Sequence, residues 1–172
     1  MKEGFFQPDF KKSGCLYTNP NLSTLYYMVL ESFNKSNNVN LPGVIFSFLG
    51  SDNQSIFPLE DIYQFHDFMN AKRPAIQSLW NQFLQNDSVI LELDYSENFN
   101  PVFIDLNDFQ FLMPPVMMVK PYTVQDVSRI CQDICSGEIY PSIFPSGVIQ
   151  AHLPYIKAEH IVHVYPMFPL GE

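Results

Sequence analysis

The spacing of apolar residues predicts a helix near the start of the chain. Asn19 is a suitable capping residue, and Pro20 fits the first helical turn because its missing N–H has no intrahelical partner there. Apolar side chains then recur three and four residues apart as far as the polar run 36–38, at Leu22, Leu25, Tyr26, Val29, Leu30 and Phe33. This spacing places them on one face of a helix.

The same spacing predicts three further helices. They are expected from Pro58 to just before Pro74, from Pro74 to the polar run 86–88, and from Thr123 to Gly137. Pro74 separates two of them because the residue before a proline avoids the helical conformation. Thr123 and Asp126 resemble a capping box at the start of the last helix. The buried stripe of that helix is expected to include Cys131 and Cys135.

Elsewhere apolar and polar residues alternate, which is typical of half-buried strands. A short run rich in β-forming residues, Gly43–Leu49, predicts one strand. Two further pairs of segments predict hairpins, namely Val89–Tyr95 with Val102–Leu106, and Gly147–Leu153 with His160–Tyr165. Another strand is expected at Phe109–Met113, because this apolar run is rich in Phe and ends before two prolines.

Together these elements predict a single α+β domain over residues 1–172. We expect an antiparallel or mixed sheet with about four helices packed on it, because the helices and strands are partly segregated along the chain. Residues 1–18 are expected to form an irregular N-terminal arm, and residues 166–172 an irregular tail. A length of 172 residues fits one domain with a sizeable core.

Net charge narrows the classes of partner. The chain has 18 Asp and Glu against 9 Lys and Arg, which gives a net charge of −9. No nucleic acid and no membrane surface are expected as partners, since binding to either requires clustered basic residues. Between Pro74 and Val119 the chain has six carboxylates and no Lys or Arg. This acidic segment favours a positively charged protein as the partner.

The cysteines and the N-terminal residues predict a cytoplasmic protein. Three cysteines cannot all pair, and their spacing shows no disulfide framework, which favours a reducing compartment. The first residues contain no apolar stretch of the kind found in secretory signals. The sequence also contains no run of about 18 apolar residues that would span a membrane.

The first predicted hairpin brings carboxylates together on one face. Strand alternation places Glu92 and Asp94 on one side of its first strand and Asp105 on one side of its second. In a register that pairs these sides, the like charges repel one another, and a basic partner would relieve the repulsion. Apolar side chains among them supply the anchors that an interface core needs. The candidate partner-binding residues are therefore Glu92, Asp94, Glu97, Asp105, Asp108, Ile90 and Phe103.

Two other interpretations of these carboxylates remain open. One is a solvated sheet face with no partner, since charged side chains are mostly exposed. The other is a divalent-metal site, although the segment does not match the calcium-loop pattern.

The sequence contains no catalytic or phosphate-binding motif. His160 and His163 would face opposite sides of a strand and so would not share an ion. We therefore expect no metal, no cofactor and no enzymatic activity. One alternative is a small hydrolase or metal-dependent enzyme with His66 or His152 in a cavity beside two or more acids. Another is a non-catalytic adaptor subunit with an exposed apolar segment at 109–119.

In size, acidity and the absence of catalytic residues, the chain resembles the small immunity proteins of bacterial toxin–immunity pairs, including those of contact-dependent growth inhibition systems. These families share no common motif, so no functional residue is transferred from them. The resemblance implies an inhibitor that neutralises a cognate basic toxin, for example a nuclease, by covering its active-site groove with an acidic face. It also implies that the complex forms in the cytoplasm of the producing cell.

Overall fold

The structure, a computed structural model, describes residues 4–13, 20–48, 88–112, 123–136, 142 and 149–167. It confirms a mixed α and β fold with several antiparallel sheets. The chain divides into two compact units, Met1–Leu49 with Glu97–Ile156, and Gly50–Ser96 with Lys157–Glu172. The extent of the predicted single domain, 1–172, stays a prediction.

Seven short strands, three α-helices and two 3-10 helices lie within the described residues. The α-helices are α1 (Pro20–Asn37), α2 (Leu106–Leu112) and α3 (Val124–Ser136). The strands are β1 (Phe5–Phe6), β2 (Ile45–Phe48), β3 (Val89–Leu93), β4 (Phe103–Asp105), β5 (Ile149–Leu153), β6 (Ile156–Lys157) and β7 (Ile161–Pro166). The 3-10 helices are Phe10–Lys12 and Ala158–His160. None of the described helices is long and apolar enough to cross a membrane.

Helices α1 and α3 contribute to the core of the first unit, as does α2. The predicted starts of α1 and α3 are confirmed, at Pro20 and at the residue after Thr123. Their contact is reinforced because the Ser32 hydroxyl donates a hydrogen bond to the Ile134 carbonyl. The buried core comprises Phe10, Leu25, Val29, Leu30, Phe33, Val44, Val102, Ile104, Phe109, Leu112, Ile130 and Ile134. Cys135 was expected in this core, but it is exposed, while Cys131 is half-buried.

The first unit contains a three-stranded antiparallel sheet in the order β2-β5-β4. Phe46 pairs with His152 across β2 and β5, and Ile104 pairs with Gln150 across β4 and β5. The predicted strand at 43–49 is therefore confirmed. The second predicted hairpin is wrong, because β5 pairs with β2 and β4, and β7 pairs in a different sheet.

A helix, α2, replaces the strand expected at Phe109–Met113. Asp105 begins it, since its Oδ1 accepts a hydrogen bond from the Asn107 backbone N–H at 2.8 Å. Asp is favoured at this capping position because its carboxylate satisfies an N–H that has no partner within the helix. Leu106, Phe109 and Leu112 are buried at a spacing of three residues, which is the inward face of a helix.

The second unit contains a two-stranded antiparallel sheet of β3 and β7, which we call the ribbon. The first predicted hairpin is wrong, because β3 pairs with β7 and β4 pairs with β5. The ribbon pairs Ile90 with Tyr165, Leu91 with Val164, and Glu92 with His163. The register shifts after Glu92, so that β7 has one extra residue opposite β3, a β-bulge.

Several other expectations differ from the structure or lie outside it. The prediction of about four helices is not confirmed, since the described residues contain three α-helices. The helices expected at 58–73 and 74–86 lie outside the described residues. The arm 1–18, expected to be irregular, contains β1 and a 3-10 helix within residues 4–13. At the other end, Pro166 completes β7 and Met167 is buried.

Candidate interaction surface

The polar side of β3 keeps part of the predicted acidic cluster, with a different neighbouring strand. Alternation along the strand places Ile90 and Glu92 on the same side, opposite Tyr165 and His163 of β7. Asp94 follows the strand and is exposed. The cross-strand neighbours of Glu92 are therefore a tyrosine and a histidine of β7, where Phe103 and Asp105 of β4 had been expected.

One carboxylate oxygen of Glu92 is the centre of this polar side. The Tyr165 hydroxyl donates a hydrogen bond to Glu92 Oε2 at 2.7 Å, and His163 Nδ1 lies 3.3 Å from the same atom. The His163 and Tyr165 rings stack with their centroids 5.9 Å apart. The hydrogen bond to Glu92 raises the pKa of Tyr165, because the protonated hydroxyl is the form that donates it.

Glu92 and Asp94 remain uncompensated by Lys or Arg in the described part of the chain. The only ion-pair partner of Glu92 there is His163, which is charged only when protonated. Asp94 is held by its backbone, whose N–H donates to the His160 carbonyl at 2.9 Å, while its side chain is exposed. Both acidic side chains therefore reach solvent without a Lys or Arg paired to them in the described residues.

The opposite side of β3 is apolar and exposed. Val89 is 53% exposed and Leu91 38%, and on β7 Val164 is 57% and Val162 50%. Leu91 and Val164 are direct cross-strand partners, so they share one face of the ribbon with Val89. Most soluble proteins avoid contiguous exposed apolar patches, and such patches mark binding surfaces.

The other four predicted site residues belong to the first unit. Asp105 and Asp108 are buried in the first unit, where Asp105 caps α2 and Asp108 accepts a 2.6 Å hydrogen bond from Ser142. Phe103 and Glu97 also belong to the first unit, and both are half-buried. The first hairpin had been expected to bring all of these residues together.

A shallow recess in the first unit is lined by three aspartates. Asp105 and Asp108 face it from α2 and its cap, and Asp133 faces it from α3, among apolar side chains. Arg129 Nη1 lies 3.5 Å from Asp133, which balances part of the charge. No described histidine lines the recess, so the proposed His–carboxylate chemistry of an enzyme has no counterpart within it.

Of the two histidines proposed for an enzyme, His66 lies outside the described residues, and His152 is fully buried in the three-stranded sheet. Its backbone N–H and its Nδ1 both lie within hydrogen-bonding distance of the Val102 carbonyl, at 3.1 and 2.6 Å. Nδ1 therefore bears the hydrogen, and Nε2 has no hydrogen-bond partner in the described structure. Burial lowers the pKa of His152 to about 4. The position of His152 within an alternating strand gives no sign of this burial in the sequence.

Sequence reasoning missed the apolar side of the ribbon. Alternation places Val89, Leu91 and Leu93 on one side of the strand, and apolar strand faces normally pack on a core. The valines of β7 show the same alternation, at Val162 and Val164. Their exposure depends on tertiary packing and has no signal in the sequence.

Comparison of the chain with family models, with curated proteins and with solved structures finds no match. The function is therefore argued from the geometry of the ribbon.

Proposed function

We propose that the protein binds a basic protein and inhibits it, without catalysing a reaction. The observation that supports this proposal is a pair of acids, Glu92 on β3 and Asp94 just after it, which face solvent with no Lys or Arg paired to them in the described residues. Uncompensated charge of one sign accelerates encounter with a partner of the opposite sign.

The partner that we propose is a cognate toxin with a cationic groove, as a nuclease has for its phosphates. Carboxylates at Glu92 and Asp94 would occupy positions that substrate phosphates take, and Ile90 beside them would supply apolar contact. The protein would act as an immunity protein, and the complex would form in the cytoplasm. The acidic chain, with its net charge of −9, is consistent with this class of partner.

A non-catalytic adaptor subunit is the second candidate, because the apolar face of the ribbon is exposed. Val89, Leu91 and Val164 would then be the principal contacts, and binding would depend little on salt. The two candidates therefore differ in the side of β3 that they use and in their response to ionic strength.

The test is capture of the partner by tagged protein at low and high salt, with two variants of equal net charge. The first combines Glu92→Lys with Asp94→Lys. The control combines Glu31→Lys with Gln125→Lys and Gln132→Lys, which are exposed positions on α1 and α3. We expect wild type and control to bind one basic protein at low salt. The variant with Glu92→Lys and Asp94→Lys should not bind that protein.

Inhibition is then measured directly with the purified partner. Wild type and control should suppress its activity, whereas the Glu92/Asp94 variant should not. Equal binding and inhibition by both variants would rule out the acidic side of β3 as the contact. Capture that is insensitive to salt and lost in Leu91→Ser would instead establish the adaptor function.

A further inference from the structure

Among the strands that the structure describes, none pairs with the ribbon along the outer edge of β3. In the described part of the chain, β3 has one neighbour, β7, so the backbone groups on its other side have no strand beside them. A two-stranded sheet is marginal in isolation, and a third strand commonly stabilises it. Exposed edges of this kind are templates for pairing with another chain.

β3 is a better template than β7. Strand edges are usually protected by proline, bulges or lysine. β7 contains both a bulge near Val162 and Pro166, which lacks a backbone N–H. Between Val89 and Leu93, β3 contains neither proline nor lysine. The edge open to pairing is therefore that of β3.

Each side of β3 specifies a different kind of neighbour for an added strand. On the apolar side, Val89 and Leu91 are exposed, and apolar residues of the added strand would cover them. On the other side, Glu92, with Asp94 just beyond the end of the strand, requires cationic residues. Since side chains alternate along a strand, a segment with alternating apolar and basic residues satisfies both sides at once.

We propose that a segment of the basic partner with alternating apolar and basic residues adds as a strand to the free edge of β3. This inference rests on the proposed function, and it specifies how the partner is recognised. Backbone hydrogen bonds would supply affinity, and the alternation would supply specificity, as in other cases of strand addition. A second copy of this chain is a poor occupant, because pairing β3 with β3 would bring the Glu92 carboxylates together.

The test uses synthetic octapeptides with capped ends. The probe alternates Lys and Val, and its control has the same composition as a block of four Lys followed by four Val. We expect the wild-type protein to bind the alternating peptide about tenfold more tightly, because only that peptide matches both sides of β3. Plain charge attraction would not distinguish the two peptides.

Two modified probes identify the mode of binding. N-methylation of alternate residues removes the hydrogen-bond donors on one edge of the peptide. Of the two possible N-methylated sets, one should abolish binding and the other should leave it unchanged, since only one edge faces β3. A peptide alternating Glu and Val should bind the Glu92→Lys/Asp94→Lys variant and not the wild type.

Each result separates strand addition from the acidic contact. One outcome is that the alternating and block peptides bind the wild type equally and both bind the Glu92→Lys/Asp94→Lys variant more weakly. Strand addition is then excluded and the acidic contact stands. If the alternating peptide binds the wild type and the Glu92→Lys/Asp94→Lys variant equally, the acids do not select basic residues. Both this inference and the acidic contact of the proposed function are then wrong. A dimer in light scattering that the alternating peptide dissociates would identify a second copy as the occupant and overturn the inference.

Discussion

Among the described residues, the three-stranded sheet and the ribbon distribute polar and apolar side chains in opposite ways. The three-stranded sheet buries Gln150 and His152 on its central strand, β5. The ribbon exposes Val89, Leu91 and Val164 on one face. Ordinary sheets bury apolar and expose polar side chains. The comparison teaches that the polarity of these strands does not show which of their faces are exposed. Exposure depends on the elements that pack against each strand.

Some buried polar groups of the three-stranded sheet are hydrogen-bonded to the backbone, whereas Gln150 Oε1 and His152 Nε2 have no hydrogen-bond partner in the described structure. Val102 accepts from both the backbone and the ring of His152, and the Ser47 hydroxyl donates to the Ala151 carbonyl at 2.6 Å. A buried polar group costs little when it is paired in this way and much when it is not. The polar groups of this sheet are therefore buried, whereas Glu92 and Asp94 of the second unit reach solvent.

The largest expected difference between the two sheets is the cost of removing a leucine. Leu153→Ala on β5 should lower the free energy of unfolding by about 2–5 kcal/mol, because it leaves a cavity at a buried position. Leu91→Ala on β3 should lower it by less than about 1 kcal/mol, because that side chain is already partly in solvent. Urea unfolding at neutral pH measures both. Equal costs would show that the ribbon's apolar face is packed in solution.

The next expected effect is a loss of stability in acid caused by His152. Its pKa is about 4 in the folded protein and 6.5 ordinarily, so the unfolded chain binds a proton between these values and the folded protein does not. Stability is therefore complete above pH 6.5 and falls as the pH decreases towards 4, by about 3 kcal/mol.

Two variants isolate the contribution of His152 from that of the carboxylates, which also titrate in acid. His152→Gln keeps an amide that donates a hydrogen bond but does not titrate, and His163→Gln is the matched control. The free energy of unfolding, measured in urea between pH 7 and pH 4, should decrease less steeply in His152→Gln than in wild type. The same slope in all three proteins would contradict the buried neutral histidine.

A smaller effect separates two aspartates that the sequence places in one candidate site. Asp105→Ala should destabilise the protein by about 1 kcal/mol, because it removes the cap of α2. Asp94→Ala should change stability by less than about 0.5 kcal/mol, because the side chain is exposed and its backbone bond to His160 remains. Thermal unfolding of the two variants measures the difference. A larger loss of stability in Asp94→Ala than in Asp105→Ala would show that the Asp94 side chain stabilises the fold.

Local sequence patterns predict the helices that have a clear capping residue or a long apolar stripe. Proline at position 20 and the long apolar stripe after it define α1, and Thr123 with Asp126 defines the start of α3, where Thr123 donates to Asp126 at 2.7 and 2.8 Å. The short apolar run after Asp105 predicts a strand or a helix equally well. The acid pair Asp105 and Asp108, three residues apart, was the available sign of a helix start.

Strand pairing could not be predicted from these patterns, and the candidate site depended on it. β3 is followed in sequence by β4, yet it pairs with β7, about 70 residues further along the chain. Alternation specifies which residues share a side of one strand, so Ile90 and Glu92 were placed correctly relative to each other. It does not specify the neighbour, and so Asp105 was assigned to the wrong sheet.

The smallest expected effect concerns the polar side of the ribbon, where the pKa of Tyr165 is raised by its hydrogen bond to Glu92 and by the negative charge of that carboxylate. Glu92→Gln removes the charge, and the pKa of Tyr165 should decrease towards its ordinary value of 10. Asp94→Asn removes an equal charge from the next exposed acid and should leave the pKa unchanged. NMR titration of the Tyr165 ring measures both. An equal decrease in the two variants would mean that Tyr165 responds to the acidity of the whole strand, and the specific bond between Tyr165 and Glu92 would then be absent in solution.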